Sequence, residues 1–236
     1  MEIICSTKEF YIYMDKKKHS LFKITNKNNH SCLSLFYSIV KSLIVNSATI
    51  VNNNNENDSS SLVIKTMSIK TFAQFKEQEK MINGSYKLPY TTILNIIICL
   101  SKQLSYLLES ETKCFYNFDP DNILVVDDCK FLYLSTEHLK DIKNNNLYVY
   151  NPIKKNMGYL SPELHNVSSI PIIVHYKTIF YSLGLFIINN LVDELTSNDI
   201  QEVLLDCIVN IRGTKLYYFL ERCLQDEPTK RFLIYV

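Results

Sequence analysis

Glycine is scarce in this chain: Gly84, Gly158, Gly184 and Gly213 are the 4 present among 236 residues, and none lies in the first third. A phosphate cradle made of glycine backbone is therefore excluded from that third. Tryptophan is absent, and the 7 cysteines are dispersed with no C-x-x-C spacing. That excludes a thiolate zinc site and a disulfide framework, leaving reduced thiols that serve mainly as small buried apolar residues. His19, His30, His138, His165 and His175 share no metal-ligand spacing. No G-x-S-x-G segment offers a hydrolase nucleophile. Lys and Arg number 25 against 24 Asp and Glu, a net charge of +1. Such a balance supplies no long-range field for nucleic acid or an anionic membrane. The start MEIICSTKEF lacks a basic segment leading into an apolar one, and the most apolar run, Ile93 to Leu100, is shorter than a bilayer span and contains Asn95. The expectation is a soluble intracellular chain, cytoplasmic or nuclear, with neither nucleic acid nor membrane as partner.

What is present suits a sizeable core. Hydrophobic residues make up 47% and charged residues 21%, in a length fitting one large domain or two small lobes. Tyr reaches 16, with Asn and Ile abundant. This bias accompanies AT-rich coding, as in some large DNA viruses and protists.

Periodicity divides the chain. Glu2 to Ser6, Phe10 to Met14 and Ser20 to Thr25 read as strands, the last two as a hairpin about DKKKH. Ser31 to Val45 has helical spacing through Leu33, Leu35, Phe36, Ile39, Val40, Leu43 and Ile44. The Asn-rich stretch 52–61 is a polar loop, and Leu62 to Met67 returns to strand. After Ser68 the pattern turns mostly helical. It has a helix at Thr91 to Leu108 and a loop–strand–turn–strand unit from Cys114 to Leu134. A nearly all-apolar helix follows at Thr178 to Val192, and two more at Ser197 to Val209 and Thr214 to Cys223. KNNN at 143–146 and the segment Asn166 to Pro171 read as loops. A β-rich start before a larger helical part is an α+β, two-lobe pattern.

Four ordered segments carry a resemblance. FYNFDPDNILVV (115–126) resembles the catalytic loop H-R-D-L-K-P-x-N-I-L of protein kinases, and GYLSPE (158–163) resembles the G-Y-x-A-P-E close of their activation segment. YSLG (181–184) lies on the apolar helix where kinases carry D-x-W/Y-S-x-G, and LQDEPTKR (224–231) resembles L-x-x-D-P-x-x-R. The chain thus resembles the protein kinase superfamily. The resemblance implies a two-lobe kinase-like fold, with 1–67 as a reduced β-rich N-lobe and 68–236 as a helical C-lobe. Lys65 sits too near the catalytic-loop segment to be the nucleotide-anchoring strand lysine. Spacing therefore assigns that place to Lys23 and makes Leu62 to Met67 the strand before the hinge.

Carried over residue by residue, the resemblance implies lost chemistry. The loop Asp that accepts the substrate proton is replaced by Asn117, whose amide oxygen is almost non-basic. Phe115 and Tyr116 replace the loop His and Arg, and Asp119 replaces the loop Lys. Counting about thirteen residues on from Asn122, the place of the magnesium-bridging D-F-G Asp falls at Ser135. Ser6, Thr7, Lys8 and Glu9 stand where a glycine-rich loop would be, and the helix at 31–45 contains no Glu to partner Lys23. Asn122 remains as a vestigial metal ligand, and Lys23 as a vestigial nucleotide contact. Glu163 and Arg231 match the family's structural ion pair, whereas the helix Asp that ties down the catalytic loop is Ile179.

These residues imply a pseudokinase: no catalytic residue, no metal and no cofactor. It would be a binding or regulatory scaffold for a protein partner, an active kinase or its substrate. Two alternatives stand beside it. One is a divergent active Ser/Thr kinase using ATP and Mg²⁺ through Lys23 and Asn122. The other is a peptide-binding adaptor resembling the kinase non-catalytic C-lobe domain, suggested by Lys177 to Gly184.

Overall fold

The computed structural model describes residues 1–27, 33–44, 48–51, 61–153, 159–167, 169–192 and 211–234. Gly158, the helix expected at Ser197 to Val209, residues 52–60 of the Asn-rich loop, Cys32, Cys207 and His30 lie outside them. The chain is mixed α+β and groups into two compact units. Met1–Gln78 with Pro120–Glu137 forms the first, and Glu79–Asp119 with His138–Val236 the second. The first unit thus extends past Met67, because the strand at 69–71 pairs with one at 123–126.

The first unit opens with an antiparallel sheet, its elements numbered here along the chain. Its strands are β1 (Glu2–Ser6), β2 (Phe10–Met14), β3 (Leu21–Asn26), β4 (Ala48–Val51) and β5 (Ser61–Lys65), in the order β1-β2-β3-β5-β4. Alternation puts Phe10 and Ile12 of β2, and Phe22 and Ile24 of β3, into the core. Helix α1 (Leu33–Ile44) adds Phe36, Ile39 and Val40 at helical spacing, with Phe36 edge-on to Phe10 at 5.7 Å between ring centroids. Full burial of each such side chain contributes about 1.5–3 kcal/mol. A second sheet orders β6 (Ile69–Thr71), β8 (Ile123–Val126) and β9 (Lys130–Tyr133) as β6-β8-β9. Its hairpin turns through Asp127–Cys129, with Asp127 and Asp128 both at φ above +50°, a region Asp tolerates. The Asp127 Oδ1 atom accepts the N–H groups of Met67 and Ser68 at 2.9 and 3.1 Å, which fixes β6 against that turn.

The second unit contains strands that the periodicity does not announce. β7 (Lys113–Phe115), β10 (Leu139–Lys143), β11 (Asn146–Val149) and β12 (Ile172–His175) form an antiparallel sheet ordered β12-β11-β10-β7. After Ser68 helix still outweighs strand among the described residues, with these strands set between the helices. These strands have 3–5 residues, and β10 carries Lys140, Asp141 and Lys143, so their alternation is too brief to read. KNNN is a tight hairpin in which Lys143 and Asn146 belong to strands. Only Asn144 and Asn145 turn, at φ 49° and 63°, a region Asn tolerates.

Helix α2 (Phe72–Asn83) follows β6, and helices α3 (Tyr90–Tyr106), α5 (Thr178–Leu191) and α6 (Lys215–Cys223) fall close to their expected places, with the short α4 at Pro162–His165. The apolar run Ile93 to Leu100 is the middle of a longer stretch. By length and composition alone Tyr90–Glu111 is long enough to cross a membrane, a test core helices also pass; half of its apolar 18-residue window is buried. Gly184 in α5 permits a close approach: a Cβ there would lie 2.9 Å from Leu224 Cδ2 and 3.2 Å from Cys223 Cβ.

Candidate functional site

The turn joining β1 to β2 is held without glycine. Thr7 N–H donates to the Phe10 carbonyl at 2.9 Å, and Phe10 N–H donates to Thr7 Oγ1 at 3.0 Å. Lys27 reaches across from the end of β3. Its N–H donates to the Glu9 carbonyl at 2.8 Å and its Nζ to the Thr7 carbonyl at 2.6 Å. Within this frame Glu9 is only 6% exposed. A carboxylate taken that far from water must recover its hydration from protein donors.

It does so at the segment leaving β9. Ser135 Oγ donates to Glu9 Oε1 at 2.6 Å, and Thr136 N–H donates to Oε2 at 2.7 Å. Thr136 Oγ1 also donates to Oε2. Glu137 N–H at 3.5 Å and Asn122 Nδ2 at 3.4 Å complete the shell around Oε1, both long enough to be weak. The strong contacts are therefore those of Ser135 and Thr136, roughly twice as strong as neutral bonds because the acceptor is charged. The expected D-F-G position and the expected glycine-loop position meet through a carboxylate.

Asn122 closes a short helical turn, Pro120–Asn122, and is 1% exposed. Its carbonyl accepts Leu134 N–H at 3.1 Å, and its Oδ1 is buried without a hydrogen bond among the described residues. Magnesium does not fit this arrangement. The N–H and O–H groups around Glu9 point positive ends into the space a cation would need. No cluster of three His, Cys, Asp or Glu occurs among the described residues.

Lys23 lies on β3 opposite Tyr13 and Val63, half-buried, and makes no ion pair with any described residue. The structure does not join it to Glu9, Asn122 or Ser135. Asn117 follows β7 in the second unit and is 1% exposed, in a buried run with Phe115, Tyr116 and Phe118. Asp121 is exposed and faces Lys8 at 3.8 Å.

The second unit brings Glu163 and Arg231 together. Arg231 is fully buried; its Nη1 donates to Glu163 Oε1 at 2.5 Å and its Nη2 to Oε2 at 3.0 Å. The remaining donors go to carbonyls, Nε to Gln225 at 2.6 Å and Nη2 to Asp226 at 2.8 Å, while the guanidinium lies over the Tyr181 ring. Burial pushes the Glu163 carboxyl up. The Arg231 hydrogen bonds and charge outweigh that and hold it below the usual carboxylate range. Ile179 is fully buried in α5. A groove of about 450 Å³ in this unit is lined mainly by apolar side chains, among them Pro152, Ile153, Leu164 and Ile172.

Sequence reading placed Ser135 and Glu9 at chemically altered positions but did not pair them. No local signal pairs them, since an acid in a turn before an apolar strand is ordinarily solvated and its partners here lie 126 and 127 positions away. No protein-family model matches this chain, and no curated protein matches it in sequence.

Proposed function

We propose that this is a catalytically inactive protein-kinase-like protein that works as a binding or regulatory scaffold for a protein partner, an active kinase or its substrate. The N-terminal order supports the reading: three strands, a helix and two strands make one antiparallel sheet in the order β1-β2-β3-β5-β4. So does the bidentate Glu163–Arg231 pair. The observation that carries the proposal is the use of Ser135. Its hydroxyl stands at the place expected for a magnesium-binding Asp and is spent on the Glu9 carboxylate. Glu9 itself comes from the turn expected to cover phosphates. With an amide at Asn117, no group at the expected base position accepts a proton. Lys23 has no acidic partner among the described residues to orient it.

The test is phosphoryl transfer from labelled ATP with Mg²⁺, to the protein itself and to generic substrates, for wild type and Lys23→Ala. A thermal-shift titration with ATP, in Mg²⁺ and then in EDTA, accompanies it. No transfer above a protein-free blank and no magnesium-dependent shift are expected. Robust, magnesium-dependent transfer abolished in Lys23→Ala would overturn the proposal in favour of a divergent active kinase. Removing residues 1–67 is expected to disrupt the protein, whereas a C-lobe adaptor would tolerate it.

A further inference from the structure

The Glu9 shell is built for an oxyanion. It comprises two hydroxyls, two backbone N–H groups and one carboxamide, converging from Ser135, Thr136, Glu137 and Asn122. The carboxylate they hold arrives from more than a hundred residues away in sequence, on a three-residue turn between two strands. We infer that Asn122 with Ser135–Glu137 is a binding site for a small oxyanion, and that the protein's own Glu9 occupies it and latches the Thr7–Glu9 turn in place.

Several features separate a latch from a simple packing contact. The donors lie on one continuous segment, Ser135 to Glu137, plus Asn122, whose carbonyl is already bonded to that segment's neighbour Leu134. That anchor holds the donors independently of Glu9. The turn has its own supports in the Thr7–Phe10 bonds and in Lys27. Removing the carboxylate therefore leaves both walls standing and takes away the acceptor of Thr136 N–H, and a buried donor deprived of its acceptor favours any that fits. An acceptor on a short tether acts at an effective concentration of about millimolar or higher. A free carboxylate or phosphate at lower concentration is thus kept out of the wild-type site. The inference stands on these contacts and does not depend on whether the protein transfers phosphate.

The test uses the full chain as wild type, Glu9→Ala and Glu9→Gln, with acetate or inorganic phosphate as probe against chloride at matched ionic strength. Hydrogen exchange at Thr136 N–H and thermal unfolding are read together. In chloride, Glu9→Ala is expected to exchange Thr136 N–H about tenfold faster or more than wild type. Adding acetate or phosphate should restore that protection and raise the melting temperature of Glu9→Ala, with no response from wild type. A folded Glu9→Ala that answers to neither anion overturns the inference, as does an equal response from wild type. If Glu9→Ala does not fold, Glu9→Gln decides. Its amide has one acceptor oxygen where the carboxylate has two, so whichever way it turns, either Thr136 N–H or Glu137 N–H faces an NH₂ and must lose protection; wild-type protection at both would refute the latch.

Discussion

Two carboxylates are drawn into this protein, one in each unit, and they are satisfied in different ways. Glu163 meets a cation, the Arg231 guanidinium, in a bidentate pair. Glu9 meets hydroxyl, amide and backbone donors. A charge paired with a charge is a structural commitment, since removing Glu163 leaves Arg231 fully buried and uncompensated, and removing Arg231 leaves a half-buried carboxylate without its cation. A charge held by neutral donors is exchangeable in principle: remove it and what remains is a set of polar groups that another anion can fill. In the second unit the pair ties the short helix α4 to the C-terminal end of the chain. In the first, Glu9 ties the turn after β1 to the segment after β9.

The largest expected effect breaks the first side of that contrast. Arg231→Leu should lower the free energy of unfolding by about 3–5 kcal/mol, read from denaturant titration. Combining it with Glu163→Leu should recover part of that loss, because no charge is then stranded. The pair also sets a pH response. Glu163 has a folded-state pKa depressed below its unfolded value. Its contribution is therefore complete above the usual carboxylate range and is lost as pH falls through the depressed value. Unfolding measured across that acidic window should show a decline in wild type that is flattened in Glu163→Gln. An unchanged slope would mean that the guanidinium does not bind the ionised form preferentially.

Glu9→Ala comes next, at about 1–3 kcal/mol, the cost of leaving buried donors unfilled without stranding a charge. If it proved as damaging as Arg231→Leu, the distinction between a structural pair and an exchangeable ligand would collapse. Gly184→Ala sits lower still. A new Cβ at 2.9 Å from Leu224 Cδ2 overpacks the contact between α5 and α6 at about 1–3 kcal/mol. Removing a helical glycine returns about 1 kcal/mol. The net is a loss of about 0–2 kcal/mol by thermal unfolding, since the nearest atom is the end of a side chain that can rotate away.

The two regions also differ in how much the sequence discloses. The alternation of Phe10 with Ile12 and of Phe22 with Ile24 announces β2 and β3, and the continuous apolar surface of Thr178 to Leu191 announces α5. Burial writes those elements into composition. β4, β7, β10, β11 and β12 are short, and their stability rests on neighbours supplied by the fold, which no local window contains. The site follows the same rule. Asn117, Ser135, Glu163 and Arg231 are expectations from counting along motifs, and of these the structure joins Glu163 to Arg231. The bonds from Glu9 to Ser135 and Thr136 join residues 126 and 127 positions apart, and one sequence carries no record of such a meeting.

The smallest expected effect concerns Lys23, and it sharpens the contrast from the side of what is missing. The lysine sits half-buried in the middle of β3, paired in register with Tyr13 and Val63. Helix α1, which would supply its acidic partner, contains no Asp or Glu from Leu33 to Ile44. A side chain without a charged partner among the described residues contributes through its methylenes and the strand it occupies. Lys23→Ala should therefore change stability by no more than about 0.5 kcal/mol in thermal unfolding, as for a surface substitution outside any network. A substantially larger loss would assign Lys23 a charged role that the absence of acid on α1 argues against. It would also place a working electrostatic contact in the first unit, where Glu9 is the one acid so far seen to be engaged by the expected catalytic positions.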